Sequence, residues 1–285
     1  MTLPAVTVVV ATRNRPASLL RTLPRHEAPV IVVDNGSAET ALDAVRLHHP
    51  DVRFVRLAHN IGAVARNVGA QLANTRYVAF ADDDSWWHPG ALARAVDVLD
   101  RHPRLAVLAA RTVVGADERP DPLSDALAAS PLGCAPDLPG PSVLGFLSCS
   151  IVVRRGAFLA VGGFDDLLFF RGEETLLALD LTATGWGVAY VDSVLAHHDP
   201  DPRDPAAQSA ARQREVRNAL LTLWMRRPLP LAVARTAAAA GVDPVHRRAV
   251  GEVLVRLPRA LARRRRLPAH VEQAFRRLER SEPAQ

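Results

Sequence analysis

The chain opens with blocks of apolar positions separated by polar clusters. Residues 7–11 (TVVVA) and 30–33 (VIVV) are unbroken, β-branched apolar runs. Such runs predict strands buried on both faces, as in a parallel sheet. Residues 52–57, 77–80 (YVAF) and 105–110 predict three more strands. Between them the apolar positions fall at helical spacing. Leu19, Leu20 and Leu23 share one face of a predicted helix that begins at Pro16, and further helices are predicted over residues 38–48, 60–73 and 89–99. Strands and helices alternating in this way make βαβ units, an α/β fold with a mostly parallel sheet.

The pattern weakens after residue 115. Residues 115–141 are rich in Pro, Asp and Ala and predict a long loop, and order resumes over residues 142–153. A turn follows at residues 162–166 (GGFDD), then a helix over 173–184, a strand over 187–191 and a polar loop over 197–205. From Arg212 onward the chain is helical and Arg-rich, with breaks expected at Pro228, Pro230, Pro244 and Pro258. No internal repeat is visible.

Length and charge narrow the classes. The 285 residues suffice for one α/β domain plus a smaller appendage. The net charge is +5, all of it from Arg, since Lys is absent, and the excess lies around Arg263, Arg264, Arg265 and Arg266. Nucleic acid is discounted, because only Phe275 lies near that run and single-strand binders interleave aromatics with their cations. An anionic membrane surface stays open: residues 254–278 mix Leu, Ala and Val with Arg256, Arg259 and the run itself. The two cysteines, Cys134 and Cys149, make no disulfide framework and fit a reducing compartment. The opening residues lack a basic leader and a cleavage site, and no stretch is apolar enough to span a bilayer. The expected location is cytoplasmic, with peripheral contact at the inner face of the membrane through the C-terminal region.

In open α/β sheets ligands bind beyond the carboxyl ends of the strands. Three polar clusters fall on those ends: Thr12-Arg13-Asn14, Asp34-Asn35 and Asp82-Asp83-Asp84. An acidic cluster at a strand end suits a divalent cation, Mg²⁺ or Mn²⁺, which prefers carboxylate oxygens and acts as a Lewis acid toward phosphates. The plain alternative is a solvated turn capping the next helix. Gly62, before a helix bearing Arg66 and Asn67, permits close approach of a phosphate to a helix N-terminus, and ordinary helix packing is the alternative. Glu173 and Glu174 follow Phe169-Phe170; a carboxylate beside apolar rings can serve as a general base, or simply favour the helix dipole. His197-His198 offer imidazole to a metal, although a surface pair is usually without function.

In combination these motifs resemble the family-2 glycosyltransferases of GT-A fold. The matching residues are Val8 to Arg15 (VVVATRNR), Val32 to Ser37 (VVDNGS), Asn60-x-Gly62 with Ala65-Arg66-Asn67-x-Gly69, and Phe80 to Asp84 (FADDD). Gly162 to Asp165 (GGFD), Gly172-Glu173-Glu174, His197 and Arg217-Asn218 follow in order. The resemblance implies a hexosyl- or deoxyhexosyltransferase that moves sugar from a nucleotide diphosphate sugar to an acceptor hydroxyl on a glycan, a lipid-linked molecule or a small molecule. Single displacement with inversion is the implied course. Thr12, Arg13, Asp34 and Asn35 would line the nucleotide pocket, with Asp34 on the base. Arg66 would lie near the diphosphate, and Asp82 and Asp83 would belong to the donor site, Asp82 on the ribose. Asp84 and His197 would hold the cation, and Glu174 would be the catalytic base. Many relatives carry Asp two positions and Arg six positions after the base; here these are Leu176 and Asp180. Two other readings stay open, a sugar-nucleotide binding module without catalysis and a nucleotidyltransferase on a similar core. The domain expected is residues 1–225, with a donor half over about 1–115 and an acceptor half over about 142–225, followed by an Arg-rich helical region over 226–285. Acceptor choice is expected to rest on residues 115–141 and the C-terminal helices.

Overall fold

The computed structural model describes residues 5–201 and 204–281. Its strands are β1 (Val6–Thr12), β2 (Val30–Asp34), β3 (Arg53–Arg56), β4 (Tyr77–Asp82), β5 (Ser85–Trp87), β6 (Leu105–Val114), β7 (Arg119–Pro120), β8 (Ile151–Arg154) and β9 (Gly187–His198). Its helices are α1 (Pro16–Thr22), α2 (Asp43–His48), α3 (Val64–Leu72), α4 (Ala91–Arg101), α5 (Pro122–Ala128), α6 (Arg155–Ala160), α7 (Glu173–Ala183), α8 (Pro205–Arg226), α9 (Leu229–Ala240), α10 (Pro244–Ala262) and α11 (Ala269–Ser281).

The strands form one mixed sheet in the order β3-β2-β1-β4-β8-β6-β9-β5, with β7 against the end of β6. The first four strands of this order are parallel; β1, β2 and β4 carry the apolar runs, and β3 (RFVR) forms the part-exposed edge. Beyond them β8 runs antiparallel to both β4 and β6, while β6 and β9 are again parallel, so the sheet is mixed with most of its paired length parallel. Side chains alternate across it. Val8, Val10, Val32 and Leu108 pack against α1, α2 and α4; Val9, Val33, Phe80 and Val153 pack against α3, α6 and α7.

Several local expectations change. His197 and His198 lie in β9 and not in a loop, because β9 continues alongside β6 (Val113↔His197, Val114↔His198) and pairs with β5. The expected loop over residues 115–141 contains β7 and α5, whose N-cap Asp121 accepts from the Leu123 amide and whose first turn holds Pro122. Pro258 lies inside α10 instead of breaking it, and Pro230 sits in the first turn of α9. Among the described residues no helix is long and apolar enough to cross a membrane.

The C-terminal helices dock on the sheet domain through two apolar clusters. Leu221, Met225 and Val253 pack with Leu168 and Leu176; Leu267 and Val271 pack with Leu144 and Leu179. Enclosed arginines reinforce this. Arg226 Nη2 donates to Asp180 at 2.7 Å, and Arg227 bonds Glu272 at 3.0 Å and Glu279 at 2.7 Å while lying over the Phe275 ring. The basic run is largely engaged as well. Arg263 pairs with Asp165 and Asp166, Arg264 bonds the carbonyls of Trp224 and Arg227, and Arg265 lies 3.4 Å from Asp180.

Candidate active site

The register places Thr12 beside Asp34 and Ala11 beside Asp82, so the carboxyl ends of β1, β2 and β4 meet at one edge. The acidic cluster there is tied to the loop after β1. Thr12 Oγ1 donates to Asp83 at 2.8 Å, and the Arg15 guanidinium reaches Asp83 and Asp84 at 3.1 Å each and Asp201 at 2.7 Å. Burial pushes the Asp83 carboxyl up to about 7 against the opposing pull of Arg15 and Thr12. The Asp84 carboxyl is also raised, by burial and by Asp82. Arg15 lies inside the VVVATRNR match but was assigned no role from sequence.

The imidazole nearest Asp84 belongs to His198. Its Nε2 lies 3.6 Å from Asp84 Oδ1, an enclosed oxygen that has no hydrogen bond. His197, the expected metal ligand, is not brought to Asp84. Consecutive strand residues point to opposite faces, and the His197 ring stacks on Trp86 with its Nε2 3.0 Å from His88 Nδ1. Among the described residues no three His, Cys, Asp or Glu side chains converge as a metal cage. The pair still suits a hard divalent cation, because Mg²⁺ and Mn²⁺ take few protein ligands when substrate phosphates complete the shell. The unpartnered Asp84 oxygen supplies the donor such an ion needs.

Arg66 and Asp82 form a buried ion pair. Burial works against the Arg66 charge, but Asp82, Glu173 and Glu174 outweigh it and hold the guanidinium charged. Glu173 at the start of α7 is 1% exposed, and burial followed by Glu174 pushes its carboxyl up to about 8. Glu174 turns the other way. Its Oε1 accepts from Ser148 Oγ at 2.7 Å and its Oε2 from the Gly172 amide at 3.0 Å, and it lines a cavity of about 830 Å³. Ser148 carried no sequence signal.

The remaining expected site residues also bond protein groups. Asp34 accepts from the Ser37 amide at 2.9 Å and faces Arg46 at 3.6 Å, and it is 1% exposed. Arg13 is exposed and donates to the Gly36 carbonyl at 3.3 Å. The Asn35 amide is engaged at both ends, by the Gly62 carbonyl at 3.0 Å and the Ile61 N–H at 2.8 Å, which holds the loop before α3. The close approach at Gly62 is to protein. A Cβ there would fall 2.0 Å from the Phe169 carbonyl oxygen, which accepts from the Ala63 N–H at 2.6 Å. Asn67, expected to reach a phosphate, bonds the carbonyls of Gly162 and Phe164 and the Phe164 N–H. The loop before α7 is strained, with φ of +66° at Phe169 and +72° at Arg171. Asn218 holds it through the carbonyls of Leu168, Phe170 and Arg171, and Arg217 adds a bond to Leu168 at 2.9 Å.

The two departures noted after the base have a shared cause. Leu176 is buried against α8 and α10, and Asp180 receives Arg226 and Arg265. Both positions hold the C-terminal helices to α7.

The model of glycosyl transferase family 2 matches residues 7–160. The chain belongs to this family. Two proteins of Mycobacterium tuberculosis are similar in sequence. A pre-mycofactocin glycosyltransferase is 35% identical over 205 residues, which is 68% of this chain and 42% of that one. An N-acetylglucosaminyl-diphospho-decaprenol L-rhamnosyltransferase is 30% identical over 244 residues, 70% of this chain and 78% of that one. The chain thus spans less than half the length of the pre-mycofactocin relative. Solved structures share the fold at low identity. GalNAc-T7 with UDP, GalNAc and Mn²⁺ aligns with a TM-score of 0.63 at 15% identity, over 85% of this chain and 52% of that one. The mannosyltransferase PcManGT of Pyrobaculum calidifontis with GDP-Man and Mn²⁺ gives 0.60 at 19%, over 98% and 88%. Staphylococcus aureus TarS with UDP-GlcNAc gives 0.62 at 15%, over 95% and 84%. The fold is GT-A.

Proposed function

We propose that this chain transfers a sugar from a nucleotide diphosphate sugar to an acceptor hydroxyl, by single displacement with inversion. The observation that carries the reading is the placement of Glu174. Its carboxylate borders a cavity on one side and on the other acts on Arg66, the partner of Asp82. A base between an acceptor space and a donor edge is what direct displacement needs.

In this reading Thr12, Arg13 and Asp34 line the nucleotide pocket, Asn35 keeps its wall in shape, and Arg66 with Asp82 and Asp83 faces the donor. Asp84 and His198 hold the divalent cation; His198 takes the place expected of His197. When bound, the cation neutralises the departing diphosphate. Glu174 is oriented by Ser148 and Gly172 N–H and accepts the proton of the acceptor hydroxyl as its oxygen attacks C1 of the sugar. Charged Arg66 offsets the carboxylates at the donor edge, where buried Glu173 is held protonated. The domain limits remain residues 1–225 with 226–285 appended, and the appended helices complete the acceptor side. The exposed side chains Leu254, Val255 and Leu261 of α10 offer weak, salt-sensitive contact with an anionic membrane. A panel of nucleotide sugars tested for hydrolysis with and without Mn²⁺ checks the reading. Hydrolysis of at least one donor, lost in Glu174→Gln, is expected; no turnover across the panel contradicts it.

A further inference from the structure

The cavity of about 830 Å³ beside Glu174 is lined by α5, α7, α8 and α11, by Arg235 of α9 and by the segment before the Ser148 turn, and it opens to solvent on one side. Its walls are mainly apolar: Leu127 from α5, Phe146, Leu223 from α8, and Phe275 and Leu278 from α11. Its size falls in the range of about 300–1,000 Å³ that encloses most of a drug-sized molecule.

Charge narrows the occupant further. The wall carries the carboxylates of Glu174, Glu215 and Glu279 and a single arginine, Arg235. Arg235 lies 3.9 Å from Glu279, which also receives Arg227, and Glu215 is paired with Arg171. Arg235 is thus more than half exposed beside a carboxylate that Arg227 already bonds, and the three carboxylates of the wall outnumber it. An anionic ligand would enter an apolar, mildly acidic space at a high desolvation cost.

We propose that this cavity is the acceptor site, and that the acceptor is a neutral molecule with a compact apolar body that presents one hydroxyl to Glu174. The assignment rests on Glu174 being the base. The acceptor O–H gives its proton to Glu174, its oxygen forms the new bond to C1, and the C1–O bond to the nucleoside diphosphate breaks with the electron pair leaving on the diphosphate. The C-terminal helix α11 is then part of the specificity apparatus, because Phe275 and Leu278 close a wall that the catalytic domain alone leaves open.

The test uses the full chain and two blocking variants, Ala126→Trp and Ala219→Trp. Both alanines line the cavity at exposed helix positions, so a larger side chain enters the space without removing a core contact. Calorimetric titration with 2-(2-naphthyl)ethanol, neutral, and with 2-naphthylacetate, its anionic counterpart, reads occupancy without turnover. Saturable binding of the alcohol, weakened at least 10-fold in each variant, with no comparable binding of the acid, is expected. With a nucleotide sugar that the chain hydrolyses, the alcohol should also divert sugar from water into a naphthylethyl glycoside detected by mass, and both variants should lose the glycoside. Absence of alcohol binding, binding untouched by the tryptophans, or equal binding of the acid overturns the proposal. A chain that binds the alcohol but turns over no nucleotide sugar contradicts the transferase reading, and with it the acceptor assignment.

Discussion

Arg66 and Asp82 form an ion pair in which the guanidinium side chain is 3% exposed, and Glu173 and Glu174 both lie within its field. Removing the guanidinium would leave the part-buried Asp82 carboxylate without its partner, a loss of about 1–3 kcal/mol. Arg66→Met is expected to lower the denaturant midpoint correspondingly and to abolish binding of nucleoside diphosphates. Arg66→Lys keeps the charge without the planar fork and should recover part of the stability. Chemical denaturation of both variants checks this; an unchanged midpoint in Arg66→Met counts against it.

Glu173 titrates in the opposite sense to a salt-bridged carboxylate. Its carboxyl stands at about 8 in the folded state against an ordinary 4.5. The folded protein therefore holds that proton more tightly than the unfolded chain. The resulting stability is complete below pH 4.5 and is lost as pH rises through 8. Glu173→Gln is neutral throughout and escapes the loss. Its melting temperature relative to the unaltered chain should rise from pH 5 to pH 8.5 and then level off. A difference independent of pH contradicts this account of Glu173.

Glu174 serves chemistry in this account, and Ser148 orients it. Glu174→Gln should lower turnover by about 10²–10⁴, the usual worth of a general base, with donor affinity nearly unchanged. Ser148→Ala leaves the carboxylate in place but frees it to rotate. Its loss should be smaller and fall mainly on kcat. Steady-state kinetics separate the two variants. Near-normal turnover in Glu174→Gln would move the base elsewhere.

Much of the donor half was legible in the sequence, for a physical reason. Strands such as β1 and β2 are covered on both faces, so their apolar runs are unbroken, and the polar residues ending them had to lie at one edge. The mixed far side was not legible. β5 has three residues, and the orientation of β8 depends on its neighbours in the sheet. Choosing between His197 and His198 needed the register of β9, since a shift of one residue exchanges the faces. Asn35, Asn67 and Asn218 fall within motifs, yet each binds backbone, and an amide side chain looks the same in a sequence whether it holds a ligand or a loop. The acceptor cavity draws on α5, α7, α8 and α11, which are distant in the chain, so no local pattern marks it.

Membrane contact through α10 should be weak. Arg256 pairs with Glu252 and Arg259 with Asp166, which leaves Arg247 and Arg248 as the exposed cations of α10 outside these pairs. The full chain is expected to float with vesicles containing anionic lipid at low salt and to release as salt rises. Replacing Leu254, Val255 and Leu261 together by Ser should abolish flotation. Equal recovery of both proteins with the vesicles, or none of either, contradicts a membrane role for this face.

The central claim is a cation-dependent donor site at Asp84. Its most direct test is calorimetric titration of UDP and GDP into the full chain, with Mn²⁺ and with EDTA, and the same titrations into Asp84→Ala. The account predicts that at least one of the two binds with Mn²⁺, that its affinity falls at least 10-fold in EDTA, and that Asp84→Ala binds it equally weakly in both. Equal affinity in Mn²⁺ and EDTA for the unaltered chain would contradict it.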